Sequence, residues 1–258
     1  MRVAVINDIH ANLPALEAVL EDIRRADVDR IVVGGDVLPG PMPVETLACL
    51  RDLDIPVQYL YGNGDLGVLA QMTAADPSTV TYWGTASGAP LPEPIRELVR
   101  WTARQLRPEH ERLLASWPKT VSLEIDGIGE VLFCHATPRN ETEIFFRLTP
   151  DERLLPAFAG VTASLVVCGH THMQFDRTVG AIRVVNAGSV GMPFGKPGAY
   201  WLLLGPDVQL RHTPYDLANA AARIRETAYP QAEEAARAVL EPPSEEAMLA
   251  AFAPFELT

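Results

Sequence analysis

The chain has 258 residues, of which 48% are hydrophobic and 21% charged, so it can form a buried core and is not a disordered chain. Its formal net charge of −12 argues against binding of nucleic acid or an anionic membrane through the protein's own surface. Three cysteines without a CxxC pair (Cys49, Cys134 and Cys168) exclude a closed disulfide framework and predict buried thiols in a reducing compartment.

The first 60 residues alternate between short apolar runs and segments with helical spacing. Residues 2–6, 31–33 and 56–60 predict strands that are buried on both faces. Residues 13–26 and 43–53 predict the intervening helices. This alternation indicates a sheet covered by helices.

The alternation stops between residues 66 and 118. Residues 77–94 are rich in Pro, Gly, Ser and Thr and predict a loop. Residues 93–106 and 108–117 predict two helices, the second with a proline at its start. We interpret residues 66–118 as a helical insertion that caps one side of a site.

Strands return after residue 120, and several of them come as hairpins. The predicted strands are residues 121–125, 131–134, 164–168, 175–178, 182–185, 199–204 and 207–212. From residue 214 the sequence becomes rich in Ala, Glu and Arg, which predicts a solvated helical tail packed on the core. We therefore predict a main domain over residues 1–213 and a C-terminal helical extension over residues 214–258 on the same domain.

Neither a signal peptide nor a membrane span is expected. The apolar run at residues 3–6 is too short for the hydrophobic segment of a signal peptide, and no apolar run is long enough to cross a bilayer. We predict a cytoplasmic protein that does not use a membrane as a partner.

Five predicted strands end directly before polar residues that bind metal ions. These are Asp8-x-His10, Gly35-Asp36, Gly62-Asn63, His135 and Gly169-His170-x-His172. Taken singly, each has a plain explanation as a turn or as a hydrogen-bonded core histidine. Because ligand sites of α/β sheets gather outside the carboxyl ends of the strands, their shared placement predicts one site.

The donor set indicates which metals fit. Two aspartates, one asparagine and four histidines offer oxygen and imidazole nitrogen without thiolate, which suits Mn, Fe, Co, Ni or Zn better than Ca or Mg. Seven ligands are too many for one tetrahedral ion and fit two ions that share a bridge. Since neighbours on a strand face opposite ways, Cys134 is expected to face the core if His135 faces the metals.

These motifs, in this order, resemble the calcineurin-like metallophosphoesterases over about residues 1–213. Residues 186–191 (Asn-Ala-Gly-Ser-Val-Gly) also resemble a loop of the small prokaryotic members. The resemblance implies an α/β (α+β) fold, a β-sandwich of two mixed sheets flanked by helices. It implies one ion held by Asp8, His10 and His172, another held by Asn63, His135 and His170, and Asp36 as the bridge.

The resemblance also implies an activity, in which two divalent ions, with manganese favoured, activate a bridging hydroxide that attacks phosphorus. The implied catalytic residues are Asp36, Asn63 and His135, with Asp65 retained from the third motif. Arg139 is either a further phosphate contact, since guanidinium pairs well with phosphate, or a solvated surface arginine. Asn12 is better explained as a helix N-cap than as a phosphate contact.

One position departs from the family pattern. Many members have a histidine after the asparagine of the third motif, and it helps to protonate the leaving group; here the residue is Gly64. General-acid help is typically worth about 10² to 10⁴-fold, so its loss favours good leaving groups or another acid. Small prokaryotic members that lack this histidine are regarded as phosphodiesterases.

The sequence therefore predicts a dinuclear phosphodiesterase for a small or nucleotide-like diester. The alternatives are a phosphomonoesterase or pyrophosphatase, which a cap over residues 66–118 would suit, and a non-catalytic scaffold that binds a partner. The net charge does not oppose a phosphate ester, because two divalent ions bring four positive charges against the carboxylates of Asp8 and Asp36. The predicted partner is a small phosphate ester, and the oligomeric state is not defined by the sequence.

Overall fold

Two five-stranded sheets form the centre of the structure, a computed structural model that describes residues 1–76, 78, 80 and 92–257. The strands are β1 (Val3–Ile6), β2 (Arg30–Gly34), β3 (Val57–Leu60), β4 (Thr120–Ile125), β5 (Gly129–Cys134), β6 (Leu165–Cys168), β7 (Phe175–Val179), β8 (Ile182–Asn186), β9 (Ala199–Leu204) and β10 (Val208–Thr213). Each was expected from the sequence to within one or two residues at its ends.

Both sheets contain parallel and antiparallel pairs. The first has the order β10-β9-β1-β2-β3, in which β1, β2 and β3 are parallel and β9 is antiparallel to β1 and β10. The second has the order β4-β5-β6-β8-β7, in which β5, β6 and β8 are parallel and the edge strands are antiparallel. The predicted fold class, two mixed sheets flanked by helices, is confirmed.

An apolar layer holds the sheets face to face. Val5 and Val32 of the first sheet share one buried cluster with Phe133 and Val167 of the second. Because successive residues of a strand face opposite sides, Cys134 lies in a different buried cluster on the outer face of the second sheet. The expectation that this thiol faces the core is confirmed.

Helices cover the outer faces of the sandwich. In the described part of the chain they are α1 (Leu13–Ala26), α2 (Pro43–Arg51), α3 (Asn63–Thr73), α4 (Glu93–Gln105), α5 (Pro108–Ala115), α6 (Asp151–Leu154), α7 (Leu217–Arg225), α8 (Ala232–Leu240) and α9 (Glu245–Phe252). Asn12 caps α1 with Oδ1, which accepts a hydrogen bond from the Ala15 amide, so the N-cap interpretation is confirmed. Among these helices, none combines the length and the apolar character needed to cross a bilayer.

The segment interpreted as an insertion is part of the main core. Helix α3 already begins at Asn63, three residues before the predicted boundary at residue 66. Val68 of α3, Val99 of α4 and Leu114 of α5 belong to the cluster that covers the outer face of the first sheet. The predicted loop at residues 77–94 lies for the most part outside the described residues, and capping of the site by this segment stays a prediction.

The C-terminal extension is helical, as the sequence predicts. Helices α7 and α8 pack as a pair, and their Ile224 and Val239 join a buried cluster with Leu13 and Met42 of the main domain. Helix α9 continues beyond this pair to a separate aromatic cluster beside the strand ends. The division at residue 213 stays a prediction.

Candidate metal centre

The predicted metal ligands all follow strands that end at one edge of the sandwich. Asp8, Asp36 and Asn63 follow the parallel strands β1, β2 and β3 of the first sheet. His135 and His170 follow the parallel strands β5 and β6 of the second sheet. Since parallel strands present their carboxyl ends at the same edge, the two sheets bring these side chains together.

The side chains form two groups, each with its possible ligand atoms within 4.8 Å of one another. The groups are Asp8, His10 and His172, and Asp36, His135 and His170. Asn63 borders the second group, with Oδ1 3.1 Å from Nε2 of His135. Asp36 faces both groups, because its Oδ1 lies 3.5 Å from His135 Nε2 and its Oδ2 lies 3.9 Å from His10 Nε2. The second group thus includes the residue that the resemblance assigns as a bridge.

Sharp backbone turns aim these residues at the edge. Five of the seven predicted ligands have positive φ angles: Asp8 (54°), His10 (48°), Asp36 (49°), His170 (65°) and His172 (59°). A left-handed backbone costs a residue with a Cβ on the order of 1–2 kcal/mol, so it persists only where the surroundings hold it. Such a concentration of strained residues is typical of a functional site.

Backbone hydrogen bonds hold the loops in this arrangement. The amide of Asp8 donates to the Gly35 carbonyl at 3.0 Å, and the amide of His10 donates to the Asp36 carbonyl at 3.0 Å. The amide of His170 donates to Oδ2 of Asp8 at 2.9 Å, which ties the two sheets together. The backbone thus holds the predicted ligand atoms in position, and preorganisation of this kind lowers the cost of binding an ion.

Two histidines are oriented by backbone carbonyls. Nδ1 of His135 lies 3.0 Å from the Gly34 carbonyl oxygen, and Nδ1 of His172 lies 2.7 Å from that of Met192. Because a carbonyl oxygen only accepts, Nδ1 carries a proton in each pair, and Nε2 is the atom that offers a lone pair to a metal once it holds no proton. This is the usual arrangement of an imidazole that binds a metal.

Burial and neighbouring charges set the protonation of the groups. Burial, followed by the charge of a neighbouring histidine, lowers the pKa of His10 and of His170 to about 4. Burial also lowers the pKa of His135, but the Asp36 carboxylate outweighs it and raises that pKa to about 10. Without metal, His135 and Asp36 are thus an ion pair, and an ion that takes the Nε2 lone pair releases a proton.

Two buried ligand atoms have no hydrogen-bond partner in the part of the chain that the structure describes. They are Oδ1 of Asp8 and Nε2 of His170, one in each group. A buried polar atom without a partner costs about 1–3 kcal/mol, so such atoms require an explanation. A divalent cation in each group supplies it, and the oxygen and imidazole donors fit a borderline divalent ion.

A comparison of protein families identifies this arrangement. The profile of the calcineurin-like phosphoesterase superfamily domain matches residues 1–205. The chain belongs to this superfamily. The family predicted from the motifs is thereby confirmed, and membership together with the two ligand groups supports a metal-dependent hydrolase of phosphoesters.

Similar proteins match this protein in sequence or in structure over nearly the whole chain. It is 28% identical to the uncharacterized protein MJ0912 of Methanocaldococcus jannaschii over 249 residues, 89% of this chain and 94% of the relative. A metallophosphoesterase from Sphaerobacter thermophilus has a similar structure, with a TM-score of 0.69, 26% identity and coverage of 94% and 99% of the two chains. The hypothetical protein PH1004 from Pyrococcus horikoshii OT3 has the same fold, with a TM-score of 0.79, 21% identity and the same coverage.

In this calcineurin-like phosphoesterase, Asp65 holds loops together. Its carboxylate accepts hydrogen bonds from the amides of Gly62 and Leu38, both at 3.0 Å. The side chain is buried, and burial together with the charge of Asp36 raises its pKa to about 7. The two bonds fix the chain segments that follow Asp36 and precede Asn63, and a direct catalytic role of Asp65 stays a prediction.

Arg139 contacts Glu143 rather than the residues of the two ligand groups. Its guanidinium pairs with the Glu143 carboxylate at 2.6 Å and 2.8 Å, and its side chain is 47% exposed. This is the surface arginine that the sequence allowed as the alternative. A phosphate contact by Arg139 stays a prediction and requires the Glu143 pair to open.

Two contacts that hold the site in place could not be predicted from the sequence. Ser189 donates from Oγ to the Asp8 carbonyl at 2.7 Å and accepts from the Met192 amide at 2.8 Å, which fixes the loop around residues 186–192. That loop was noted only for its resemblance, without a role for its residues. Met192 orients His172 through a carbonyl oxygen, and a pattern of side chains cannot show a backbone contact.

We expect the metal-free protein to bind phosphate poorly and the metal-loaded protein to bind it well. Without metal the ligand groups contribute the carboxylates of Asp8 and Asp36, whereas two divalent ions reverse the local charge. Calorimetric titration with inorganic phosphate, before and after chelation and again after addition of Mn²⁺, measures the difference. Equal affinity in all three samples would contradict a metal site that binds phosphate.

Proposed function

We propose that this protein is a phosphodiesterase with two divalent metal ions that hydrolyses a small or nucleotide-like phosphodiester. The observation that carries the proposal is the pair of ligand groups with the Asp36 carboxylate facing both. When bound, the ions supply a water of lowered pKa and positive charge for the phosphate oxygens. Manganese is the proposed ion, and the same donors also accept Fe, Zn, Ni or Co.

The protein's own residues contribute position and charge. Neutral His10 and His170 present imidazole lone pairs, because burial keeps their pKa values near 4. Asp36 is held in place by the Gly64 amide, which donates to its Oδ1 at 2.7 Å. With these groups fixed, the phosphate is oriented by charge and the attack on phosphorus needs little rearrangement.

A diester is favoured by what stands at the third motif. Gly64 has no side chain that protonates a leaving group, so the group must depart with little help. This observation supports an ester with a good leaving group.

Two substrates with the same leaving group test this proposal. We expect the Mn²⁺-loaded enzyme to cleave bis(p-nitrophenyl) phosphate with a kcat/KM at least about 10-fold higher than that for p-nitrophenyl phosphate. The Asp36→Asn variant is the control for a contaminating activity, since it should lose both reactions. A higher kcat/KM for the monoester would overturn the diester assignment and keep the metal-dependent phosphoesterase.

A phosphomonoesterase or pyrophosphatase is the second candidate. Helices α4 and α5 pack against α3, whose first residue is Asn63, so the segment from residue 92 onward backs the helix at one border of the site. A site capped by this segment would suit a small monoester. The comparison of the two nitrophenyl esters decides between these candidates as well.

A non-catalytic scaffold is the third possibility that the sequence left open. It would retain no bound transition metal after exposure to Mn²⁺, whereas a dinuclear enzyme would retain both ions. The three free cysteines fit the proposed cytoplasmic location, and the proposed partner is a small phosphate ester.

A further inference from the structure

A series of three aromatic rings, the first pair stacked and the second tilted at 49°, joins the predicted ligand His172 to the C-terminal helix α9. The ring of Phe194 lies against the imidazole of His172, with centroids 5.0 Å apart and an angle of 24° between the planes. Phe252, the last residue of α9, follows at 6.1 Å from Phe194. Phe194 is 7% exposed, so the ring between the ligand and the helix is almost enclosed.

The segment around α9 is fastened to the loops on both sides of these rings. The amide of Gly195 donates to the Pro243 carbonyl at 2.8 Å, just before α9 begins. The amide of Leu257 donates to the Ile144 carbonyl at 2.9 Å, just after α9 ends. Phe252 also stacks on Phe146, with centroids 6.2 Å apart. Residues 243–257 therefore act as a strap across the loops at residues 144–149 and 191–195.

The ring of His172 contacts His10, and two further constraints on it come from the loop that this strap supports. The Met192 carbonyl accepts the Nδ1 proton, and Phe194 covers one face of the ring. Together they set the plane of the imidazole and the direction of Nε2, which lies 3.5 Å from Oδ1 of Asp8. A shift of the loop would therefore turn a ligand of the first group away from its neighbours.

The other ligand group is supported differently. His135 is oriented by the Gly34 carbonyl at the end of β2, and its ring packs at 5.1 Å from that of His170. These supports come from the strand ends of the two sheets. The C-terminal segment thus supports the loop that orients His172 of the first group, whereas the supports of the second group come from the strand ends.

We propose that Phe194 and Phe252 are positioning residues, through which residues 243–257 set the metal affinity of the group formed by Asp8, His10 and His172. This inference rests on the metal centre of the proposed function and not on the choice of ester. It assigns the C-terminal tail a role in the site, in place of the solvated tail that its composition predicts.

The test measures metal binding to each group separately. In a His170→Ala background only the first group keeps all its ligands, and in a His10→Ala background only the second group does. Metal-free protein is titrated with Co²⁺, and binding is followed by equilibrium dialysis and by the visible absorption of the bound ion. We expect Phe252→Ala to weaken binding about 10 to 100-fold in the first background and to leave the second unchanged.

Two matched variants separate positioning from a general loss of stability. Phe255→Ala removes a ring that is 49% exposed in the same segment and should leave both affinities unchanged. Phe252→Tyr keeps the ring and should restore binding. Thermal unfolding of the metal-free variants verifies that they are folded, and if Phe252→Ala is not, Phe252→Leu carries the same expectation because it keeps volume without a stack.

The outcomes are distinct. Unchanged Co²⁺ affinity of the first group in Phe252→Ala, or an equal loss in both groups, overturns the positioning role and leaves the proposed function intact. A wild-type protein that binds no Co²⁺ overturns the metal centre and with it this inference. A loss confined to the first group, with rescue by Phe252→Tyr, supports it.

Discussion

Replacement of Asp36 by Asn is expected to lower the kcat/KM for a phosphodiester by on the order of 10³-fold. The Asp36 carboxylate is the group that faces both ligand sets, at 3.5 Å from His135 Nε2 and 3.9 Å from His10 Nε2. The amide removes one negative charge and one metal-binding oxygen. Its remaining oxygen still accepts the bond from the Gly64 amide, so the loop keeps its support. The change therefore tests charge and coordination more than folding.

Activity and metal content are measured on the same preparation of Asp36→Asn. We expect both to fall together, because a bridge that is lost weakens the hold on the two ions. Asp176→Asn is the matched control, since Asp176 pairs with Arg183 on the surface and has no contact with the ligand groups. An Asp36→Asn protein with wild-type turnover and two bound ions would contradict the assignment of Asp36 as the bridge between the ions.

Without ions, protonation balances the charge of the buried site. The ion pair of His135 with Asp36 compensates a buried carboxylate, and burial keeps His10 and His170 neutral. In the metal-free site, the proton on His135 therefore supplies the positive charge that the Asp36 carboxylate requires. Binding of ions in place of this proton makes metal affinity rise with pH through the range in which His135 is protonated.

That the predicted ligands lie close together follows from a rule that the sequence displays. Apolar runs mark the strands, and the carboxyl ends of parallel strands share an edge, so Asp8, Asp36 and His135 had to lie near one another once the sheets formed. The family resemblance supplied the pairing of strands into two sheets. Each of these inferences depends on side chains and spacing, which a sequence shows directly.

The supports of the ligands were not predictable in the same way. The carbonyls of Gly34 and Met192 orient two histidines, and a carbonyl is present at every position. The contact of Phe252 with Phe194 joins residues that are 58 positions apart, one at the end of α9 and the other in the loop at residues 191–195. The composition predicted a solvated helical tail packed on the core, because it combines many alanines with eight acidic residues and three arginines, whereas a few aromatic residues make the contacts near the site.

The structure gives a packing explanation for Gly64, the position that departs from the family pattern. The sequence presents it as a missing general acid, which suggests that a histidine there would improve the enzyme. In the structure, a Cβ at Gly64 would lie closer to the Leu38 carbonyl oxygen than the sum of their van der Waals radii allows, 2.9 Å from Pro39 Cδ and 3.0 Å from Asp36 Oδ1. The turn after β2 occupies the space that a side chain would need.

Gly64→His is therefore expected to lower activity rather than restore an acid. To admit the Cβ, either the turn at Leu38 or the start of α3 must move, and the Gly64 amide then loses its bond to Asp36. Overpacking of this kind costs about 1–3 kcal/mol of stability, and a displacement of about 1 Å at Asp36 lowers kcat/KM about 10²-fold. Thermal unfolding and turnover of a diester measure the two effects.

Two further substitutions show whether space or chemistry decides the result. Gly64→Ala has the same Cβ and no acid, so it should lose nearly as much as Gly64→His. Gly160→Asn is the control, because a Cβ there has open space and asparagine tolerates its positive φ of 79°. A higher rate of Gly64→His on esters with poor leaving groups, without such a gain in Gly64→Ala, would show that the site has room for a general acid. Packing would then not explain the absence of the histidine. Loss of activity in both variants would mean that the backbone around Asp36 requires a glycine at position 64. The expected preference for good leaving groups would then follow from packing.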